Sequence, residues 1–343
     1  MRKSQMRGYL YEVLISHLLV QNNFKKCTLD DANMACGLVS RDGEIQGRGT
    51  RHQIDFVGVY THYIPFVYPI RLLAECKYWK KKVDKSFIRA YIGVHKDISE
   101  NYLASEMNNK NRFLDIPIIF SANDFDGEAV KLAWAQGINL VSHSRIPILK
   151  NILEFIKIIV DTIPENEYEN LRRFVEGVIE GIVLAETSFI DIVNSITTNY
   201  PNHNEFNTLL TDIRDMKIKT FLFATNEKGI LINLVSFDEF PDELFNETDE
   251  VDCSILFYED SSDENERVFF IRLNEDENDR KFYFQANNEL MKEGFSQLNL
   301  EDRIHLKMEY FSKLSIIKNI NGLSRLITLN VNFETVREDL ILE

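Results

Sequence analysis

The chain has 343 residues, of which 44% are hydrophobic and 27% charged, with only 14 Gly and 7 Pro. This composition excludes collagen-like, low-complexity and wholly disordered proteins, and the length suits two domains that each bury a core. No apolar run approaches the ~20 residues of a membrane span, and the first residues lack the apolar stretch of a secretory signal. We therefore predict a cytoplasmic protein with no membrane partner.

The net charge of −15 is distributed unevenly along the chain. Residues 1–150 carry 21 Lys and Arg against 15 Asp and Glu, a balance of +6, whereas residues 151–343 carry 18 against 39, a balance of −21. A basic half suits a polyanion, and an acidic half repels one. An acidic surface also fits a simple role in solubility, so the second half leaves both interpretations open.

The first half alternates helical and β-like patterns. Apolar residues at helical spacing predict a helix over 7–24. Further elements are predicted in chain order: strands at 53–60 and 69–78, a helix at 84–97, a strand at 117–121, a helix at 126–136 and a strand at 138–142. This order predicts an α/β fold with a mixed sheet flanked by helices over residues 1–149.

The second half begins with helical periodicity and then becomes β-like. Residues 150–200 are predicted to form a helical linker or dimerisation segment, although their apolar positions fit core packing equally well. Several short apolar runs separated by acidic connectors predict an antiparallel sheet in an acidic β-rich domain over 201–343. The second domain is thus expected to be α+β, with a regulatory role, a protein partner or self-association.

The four cysteines, Cys27, Cys36, Cys76 and Cys253, show none of the short paired spacings of a Cys₄ zinc site. Disulfides are rare in the cytosol, where thiols are kept reduced. We therefore expect four reduced, partly buried thiols.

Asp55 and the run Glu75-Cys76-Lys77 carry the chemistry that the sequence suggests. Side chains alternate along a strand, so Glu75 and Lys77 share a face, and antiparallel pairing with the preceding strand brings Asp55 beside Glu75. Two converging carboxylates repel each other unless a cation lies between them. We therefore predict a Mg²⁺ site, with Mn²⁺ as a substitute, formed by Asp55, Glu75 and the backbone carbonyl of Cys76.

In this interpretation Lys77 orients the attacking water and helps to neutralise a phosphate. Glu12, on the first helix, is a candidate catalytic residue, as a further ligand or a base; it fits a solvated helix position equally well. A short pattern of Asp, Glu and Lys is also compatible with an ordinary surface ion pair.

The order of these motifs resembles the catalytic domain of Mrr-like restriction endonucleases, a branch of the PD-(D/E)xK nuclease superfamily. The resemblance covers residues 10–149: Tyr11-Glu12 on the first helix, Ile54-Asp55-Phe56, Ala74-Glu75-Cys76-Lys77, and the strand, helix and strand from 118 to 141. It implies a restriction-endonuclease-like fold, Mg²⁺-dependent cleavage of DNA, and catalytic roles for Asp55, Glu75 and Lys77. The Mrr branch often has Gln at the position of Glu75, and loop 61–68 is long, so the branch and its substrate remain open.

A basic run leaves the predicted catalytic strand directly. Its lysines, together with two nearby arginines, are the predicted nucleic-acid-binding residues: Lys80, Lys81, Lys82, Lys85, Arg51 and Arg89. Lysines and aromatic residues suit phosphate contacts and base stacking, but such a run also fits a solvated turn. His52 is close enough in sequence to Asp55 to reach a phosphate, although a structural role is equally compatible.

The sequence thus predicts a Mg²⁺-dependent DNA endonuclease with a role in restriction or anti-phage defence. Two alternatives remain open: a non-cleaving module of the same fold that binds nucleic acid or a protein partner, and an RNase with the same core.

Overall fold

A computed structural model describes residues 1–29, 36–40, 43–62, 66–101, 112–144, 146–181, 220–259, 267–284 and 311–331. The chain divides into two compact units: Met1–Leu140 with Asn151–Lys217, and Val141–Lys150 with Ile218–Glu343. This division does not test the roles predicted for the three segments of the chain, which stay predictions: residues 1–149, 150–200 and 201–343. In the parts of the chain just given, no helix is both long enough and apolar enough to span a membrane.

The first unit contains a mixed sheet flanked by helices, as predicted. Its elements in chain order are α1 (Lys3–Gln21), β1 (Phe24–Lys26), β2 (Glu44–Gln46), β3 (Arg51–Gln53), β4 (Phe56–Tyr60), β5 (Ile70–Lys77), α2 (Lys85–Ser99), β6 (Leu114–Ser121), α3 (Gly127–Ala135), β7 (Asn139–Ser142), α4 (Pro147–Thr162) and α5 (Tyr168–Gly181). Both β7 and α4 run across the division between the units.

The five-stranded sheet has the order β1-β4-β5-β6-β7, and β2 pairs with β3 in a separate two-stranded sheet. β4 is antiparallel to β1 and β5, whereas β5 and β6 are parallel, so α2 makes the crossover between them. Every residue of β4 is buried, and β5 is buried from Arg71 to Ala74. A strand covered on both faces reads as a near-continuous apolar run, which is why the sequence revealed β5 clearly.

Helix α1 ends three residues earlier than the sequence predicted. Asn23 adopts a positive φ of 66°, a conformation in which Asn commonly ends helices. The chain then reverses into β1, where Phe24 pairs with Tyr60 of β4. Lys26 is therefore carried by the edge strand of the sheet.

The prediction of four reduced thiols is wrong for two of the cysteines. Cys27 and Cys36 form a disulfide with Cα atoms 6.0 Å apart, a separation within the usual range. Cys76 and Cys253 are buried and free, as predicted. The nine-residue separation of Cys27 and Cys36 does not match a metal-site spacing, and only their approach in space reveals the bond.

The second unit contains a closed barrel of seven strands with the order β10-β11-β12-β9-β8-β13-β14. Its strands are β8 (Thr220–Asn226), β9 (Leu231–Ser236), β10 (Glu250–Glu259), β11 (Arg267–Leu273), β12 (Phe282–Phe284), β13 (Lys313–Ile320) and β14 (Leu323–Val331). The predicted antiparallel sheet therefore closes on itself, and its closing pair, β10 with β14, is parallel. Aliphatic and aromatic side chains from all seven strands fill the interior.

Candidate active site

The end of the ladder between β4 and β5 positions the candidate site. The last pair of this ladder is Phe56 with Ala74, and Asp55 lies immediately before β4. The Asp55 carboxylate takes the place of the next backbone acceptor, since its Oδ2 accepts a hydrogen bond from the Cys76 backbone N–H at 2.8 Å. This contact fixes Asp55 beside the last three residues of β5.

Lys77 lies between two carboxylates from neighbouring strands. Its Nζ is 2.7 Å from Glu75 Oε2 and 3.7 Å from Asp55 Oδ2. The side chains of Lys77, Glu75 and Asp55 are only 16%, 12% and 17% exposed, so the cluster is largely shielded from water. The structure therefore brings together the three residues that the sequence selected, in the antiparallel arrangement that it predicted.

An aromatic group holds the other side of the Lys77 ammonium. Lys77 Nζ lies 4.9 Å from the centre of the Phe87 ring on α2, a cation–π distance. Phe87 itself contacts Trp79 edge to face and stacks on Tyr91, whose hydroxyl donates to the Leu73 carbonyl of β5. Because α2 is anchored to β5 in this way, Lys77 has little freedom to leave the two carboxylates.

Burial and mutual repulsion shift the ionisation of this cluster. Burial, and then the Asp55 charge, raise the pKa of Glu75 to about 7, although Lys77 opposes the shift. Burial lowers the pKa of the Lys77 ammonium, but the Glu75 and Asp55 carboxylates raise it by more, so the net shift is upward. The lysine stays charged at neutral pH, and the site carries a surplus of negative charge when Glu75 ionises.

Glu12 of α1 faces the same centre. Burial, and then the Asp55 charge, raise its pKa to about 7, while the positive charges of Lys77, Arg172 and Lys26 oppose the shift. Because the charge of Asp55 acts on Glu12, this carboxyl group lies at the site. This position disagrees with the alternative in which Glu12 is an ordinary solvated residue of the helix. Perturbed carboxyl groups of this kind are common at functional sites, although structural ion pairs also produce them.

The donor chemistry of the site fits Mg²⁺, a hard cation that prefers oxygen ligands. The N–H and C=O of one strand residue point to the same side, so the Cys76 carbonyl is directed toward the Asp55 side of β5. Two carboxylates and one carbonyl suit an ion that keeps several waters and also binds a substrate phosphate. Over the residues that the structure describes, no group of three or more His, Cys, Asp and Glu side chains is arranged to hold a metal.

The predicted basic run is exposed, and much of its charge has acidic neighbours. Lys81 lies 3.3 Å from Asp84, Lys82 lies 3.7 Å from Asp124, and Lys85 lies 3.6 Å from Glu128. The side chains of Lys81, Lys82 and Lys85 are 71%, 50% and 48% exposed, respectively. Exposed pairs are weak, so a phosphate can compete for these lysines.

Other predicted nucleic-acid contacts lie on separate elements. Lys80 is exposed on the turn after β5, where its carbonyl accepts a hydrogen bond from Asn123. Arg51 is exposed on β3 and Arg89 on α2. His52 does not reach toward Asp55; its Nε2 lies 2.8 Å from Asp97 Oδ2, which also accepts from the Thr50 N–H. This histidine tethers the β2–β3 hairpin to α2.

Sequence reasoning missed Lys26, Phe87 and Arg172. Lys26 is exposed on the edge strand β1, and its positive charge acts on the Glu12 carboxyl group. Arg172 comes from α5, about 100 residues beyond the Glu75-Cys76-Lys77 run. No spacing in the sequence connects these residues to Glu12 or Lys77, because only the packing of α1, α2 and α5 brings them there. The run of Phe87 and Tyr91 at helical spacing was the one available signal.

Comparison with known proteins adds little to this geometry. No family model matches the chain, and no curated protein matches it. A solved structure that does match is a crystal structure described as that of a protein of unknown function, AF1548. It shares 18% identity, with a TM-score of 0.36 over 60% of this chain and 96% of that chain. A likeness of this size carries no functional argument.

Proposed function

We propose that the first unit is a Mg²⁺-dependent endonuclease of the PD-(D/E)xK type that hydrolyses DNA phosphodiester bonds. The observation that carries the proposal is the position of Lys77 Nζ, 2.7 Å from Glu75 and 3.7 Å from Asp55 at the end of a largely buried strand. Such a cluster is costly to desolvate. If the ammonium and the two carboxylates act together on a phosphate, this function explains why the chain keeps a cluster whose desolvation is unfavourable.

The arrangement of elements supports the same proposal. A helix is followed by the antiparallel pair β4 and β5, then by the crossover helix α2 to β6, and by α3 and β7. We infer that this is a restriction-endonuclease-like core, similar to that of the Mrr branch. Asp55, Glu75 and Lys77 lie where β4 begins and β5 ends, so these three candidate residues meet at one end of the paired strands.

Each residue of the cluster has a distinct part in the proposed reaction. Asp55 and Glu75, with the Cys76 carbonyl, would hold Mg²⁺, which when bound polarises a phosphoryl oxygen and favours deprotonation of the attacking water. Lys77 orients that water and offers its charge to the phosphate. Glu12, with a pKa of about 7, is suited to accept a proton near neutral pH.

The test is cleavage of supercoiled plasmid with and without Mg²⁺, comparing the wild-type chain with Lys77→Ala. We expect the variant to lose at least about 100-fold in rate, because general acid–base and electrostatic contributions of this kind are that large. Lys157→Ala is the matched control, since Lys157 is 47% exposed on α4 and pairs with Glu154 of the same helix. Thermal unfolding checks that both variants fold.

A Lys77→Ala chain that cuts as fast as the wild type would contradict the proposed chemistry. Cleavage of RNA and not of duplex DNA would identify the RNase alternative. Binding of DNA without cleavage of any substrate would identify the non-cleaving module. A panel of supercoiled, linear, modified and single-stranded DNA, together with RNA, separates these outcomes in one experiment, and the modified DNA tests the proposed role in restriction.

A further inference from the structure

Helix α5 brings a cation to the candidate active site from outside the region that the motifs cover. The Arg172 guanidinium lies 5.4 Å from the centre of the Tyr9 ring on α1. Tyr9 and Glu12 are three residues apart, so they lie on the same face of that helix. The charge of Arg172 acts on the Glu12 carboxyl group, which itself senses Asp55. A chain of neighbours thus links α5 to the centre of the site.

The helix that carries Arg172 is firmly packed within its unit. Leu171 and Val175 are completely buried, and the Tyr168 hydroxyl donates to the Val160 carbonyl of α4 at 2.5 Å. Helix α4 is joined in turn to β5, because the Tyr78 hydroxyl donates to the Leu153 carbonyl. Arg172 is therefore presented from a rigid support, which is what a substrate-binding group requires.

Binding of DNA at the cluster around Asp55 has to overcome its negative charge. When Asp55, Glu75 and Glu12 are all ionised, the one charge of Lys77 does not offset theirs, and the surplus negative charge would repel a phosphodiester. A guanidinium remains charged at any pH and can bind a phosphate with two parallel hydrogen bonds. Arg172 is partly exposed, lies against Tyr9, and adds a positive charge that acts on Glu12.

We propose that Arg172 is a substrate-binding residue that contacts a backbone phosphate of the DNA held at this site. The inference rests on the proposed function. It also places helices α4 and α5 within the nuclease, although the sequence assigned residues 150–200 to a linker or dimerisation segment.

The test combines DNA binding with single-turnover cleavage for Arg172→Gln and Arg172→Lys. Binding of a fluorescent 20-base-pair duplex is measured in Ca²⁺ over a range of salt concentrations. We expect Arg172→Gln to weaken binding about 10-fold and to reduce the slope of log K against log salt by about 0.9, the value for one lost phosphate contact. Arg172→Lys keeps the charge but not the paired donors, so it should keep the slope and lose only part of the affinity.

Arg173→Gln is the matched control, because the Arg173 side chain is 73% exposed and lies near Glu169 of its own helix. It should leave binding and cleavage at wild-type values. A second comparison uses the Glu12→Gln background. If Arg172 acted only by modulating Glu12, adding Arg172→Gln to that background would change nothing, whereas a phosphate contact predicts the same loss of slope.

The outcomes separate the inference from the function on which it rests. A wild-type chain that neither cuts nor binds DNA overturns both. A wild-type chain that cuts DNA, with Arg172→Gln equal to it in salt slope and rate, overturns the inference alone. If Arg172→Gln unfolds, the Arg172→Lys variant decides between the outcomes. DNA affinity of this variant equal to that of the wild type overturns the proposed phosphate contact. Reduced affinity with an unchanged slope of log K against log salt supports it.

Discussion

At the scale of single residues, the candidate site is an imbalance of buried charge. Asp55, Glu75 and Glu12 influence one another, and Lys77 lies directly between only the first two. Carboxyl groups whose pKa is raised in the folded state bind protons more tightly there than in the unfolded chain. The native state is therefore destabilised as these groups ionise.

This imbalance predicts how stability depends on pH. The pKa of Glu75 is raised from 4.5 to about 7, so its contribution favours folding below about pH 4.5 and is lost as the pH rises through about 7. Replacing Glu75 with Gln removes the charge permanently. We expect Glu75→Gln to be more stable than the wild type at pH 8 by about 1–3 kcal/mol, measured by urea denaturation.

The control for this measurement is Glu154→Gln, since the Glu154 side chain is 57% exposed and should leave stability nearly unchanged. The advantage of Glu75→Gln should vanish near pH 4.5. Added Mg²⁺ should stabilise the wild type more than the Gln variant, because the variant lacks one carboxylate ligand. A Glu75→Gln chain that is less stable than the wild type at pH 8 would contradict the repulsion.

At the scale of elements, the close approach of strands decides where the site residues stand. Gly58 lies in the middle of β4, and a Cβ there would be 2.5 Å from Phe56 Cε1 and 3.2 Å from the Lys25 carbonyl of β1. The absence of a side chain thus allows β1 to approach β4, with Lys26 at its end. Around Gly93 on α2, no side chain or other element in the described part of the chain comes within 4 Å of such a Cβ.

These two glycines give a matched pair of substitutions. Gly58→Ala should destabilise the chain by about 1–3 kcal/mol, because the added methyl group overpacks a buried strand. Gly93→Ala should stabilise it by about 0.5–1 kcal/mol, because Ala is the better residue within a helix and the space is open. Thermal and urea unfolding of both variants measure the difference. Equal effects of the same sign would argue against the packing of β1 on β4.

In the first unit, the sequence predicted the longer elements and missed the three-residue strands. Strand β5 and the amphipathic helix α2 have apolar patterns that follow their burial. Strands β1, β2 and β3 have three residues each, too few for a period to be visible. Their positions depend on pairing with distant strands, as when Phe24 meets Tyr60, and no local pattern records such a partner.

At the scale of the whole molecule, the first unit depends on helices beyond residue 149. Asp161 of α4 pairs with Lys3 and Arg7 at the start of α1, and α4 and α5 bury several apolar side chains: Ile152, Phe155, Ile156, Ile159, Leu171 and Val175. Each buried aliphatic or aromatic side chain is worth about 1.5–3 kcal/mol. The predicted nuclease boundary at 149 would remove them all.

Truncation tests this dependence. A chain that ends at residue 149 should lack a cooperative thermal transition, whereas a chain that ends at 217, the last residue of the first unit, should retain one. Circular dichroism at 222 nm follows both. A cooperative transition in the shorter chain would show that α4 and α5 are dispensable for folding.

The second unit constrains how a partner could bind. Its seven described strands form a closed order, so a partner cannot extend the barrel by pairing with a free edge strand. A partner or second copy that binds these strands would therefore contact side chains on the outer surface of the barrel, whereas the prediction covers all of residues 150–343. Both remain predictions, as does any effect of the acidic second half on DNA binding.

The sequence by itself determined the α/β order of the first half, the β-rich character of the second, and the choice of Asp55, Glu75 and Lys77. These depend on local periodicity and on alternation along a single strand, which neighbouring residues specify. Only the tertiary structure decided that Cys27 bonds to Cys36, that the second sheet closes into a barrel, and that Arg172 acts on Glu12. The reason is physical: whether the two residues lie nine apart, as the cysteines do, or more than a hundred apart, packing of complete elements, not local preference, selects such contacts.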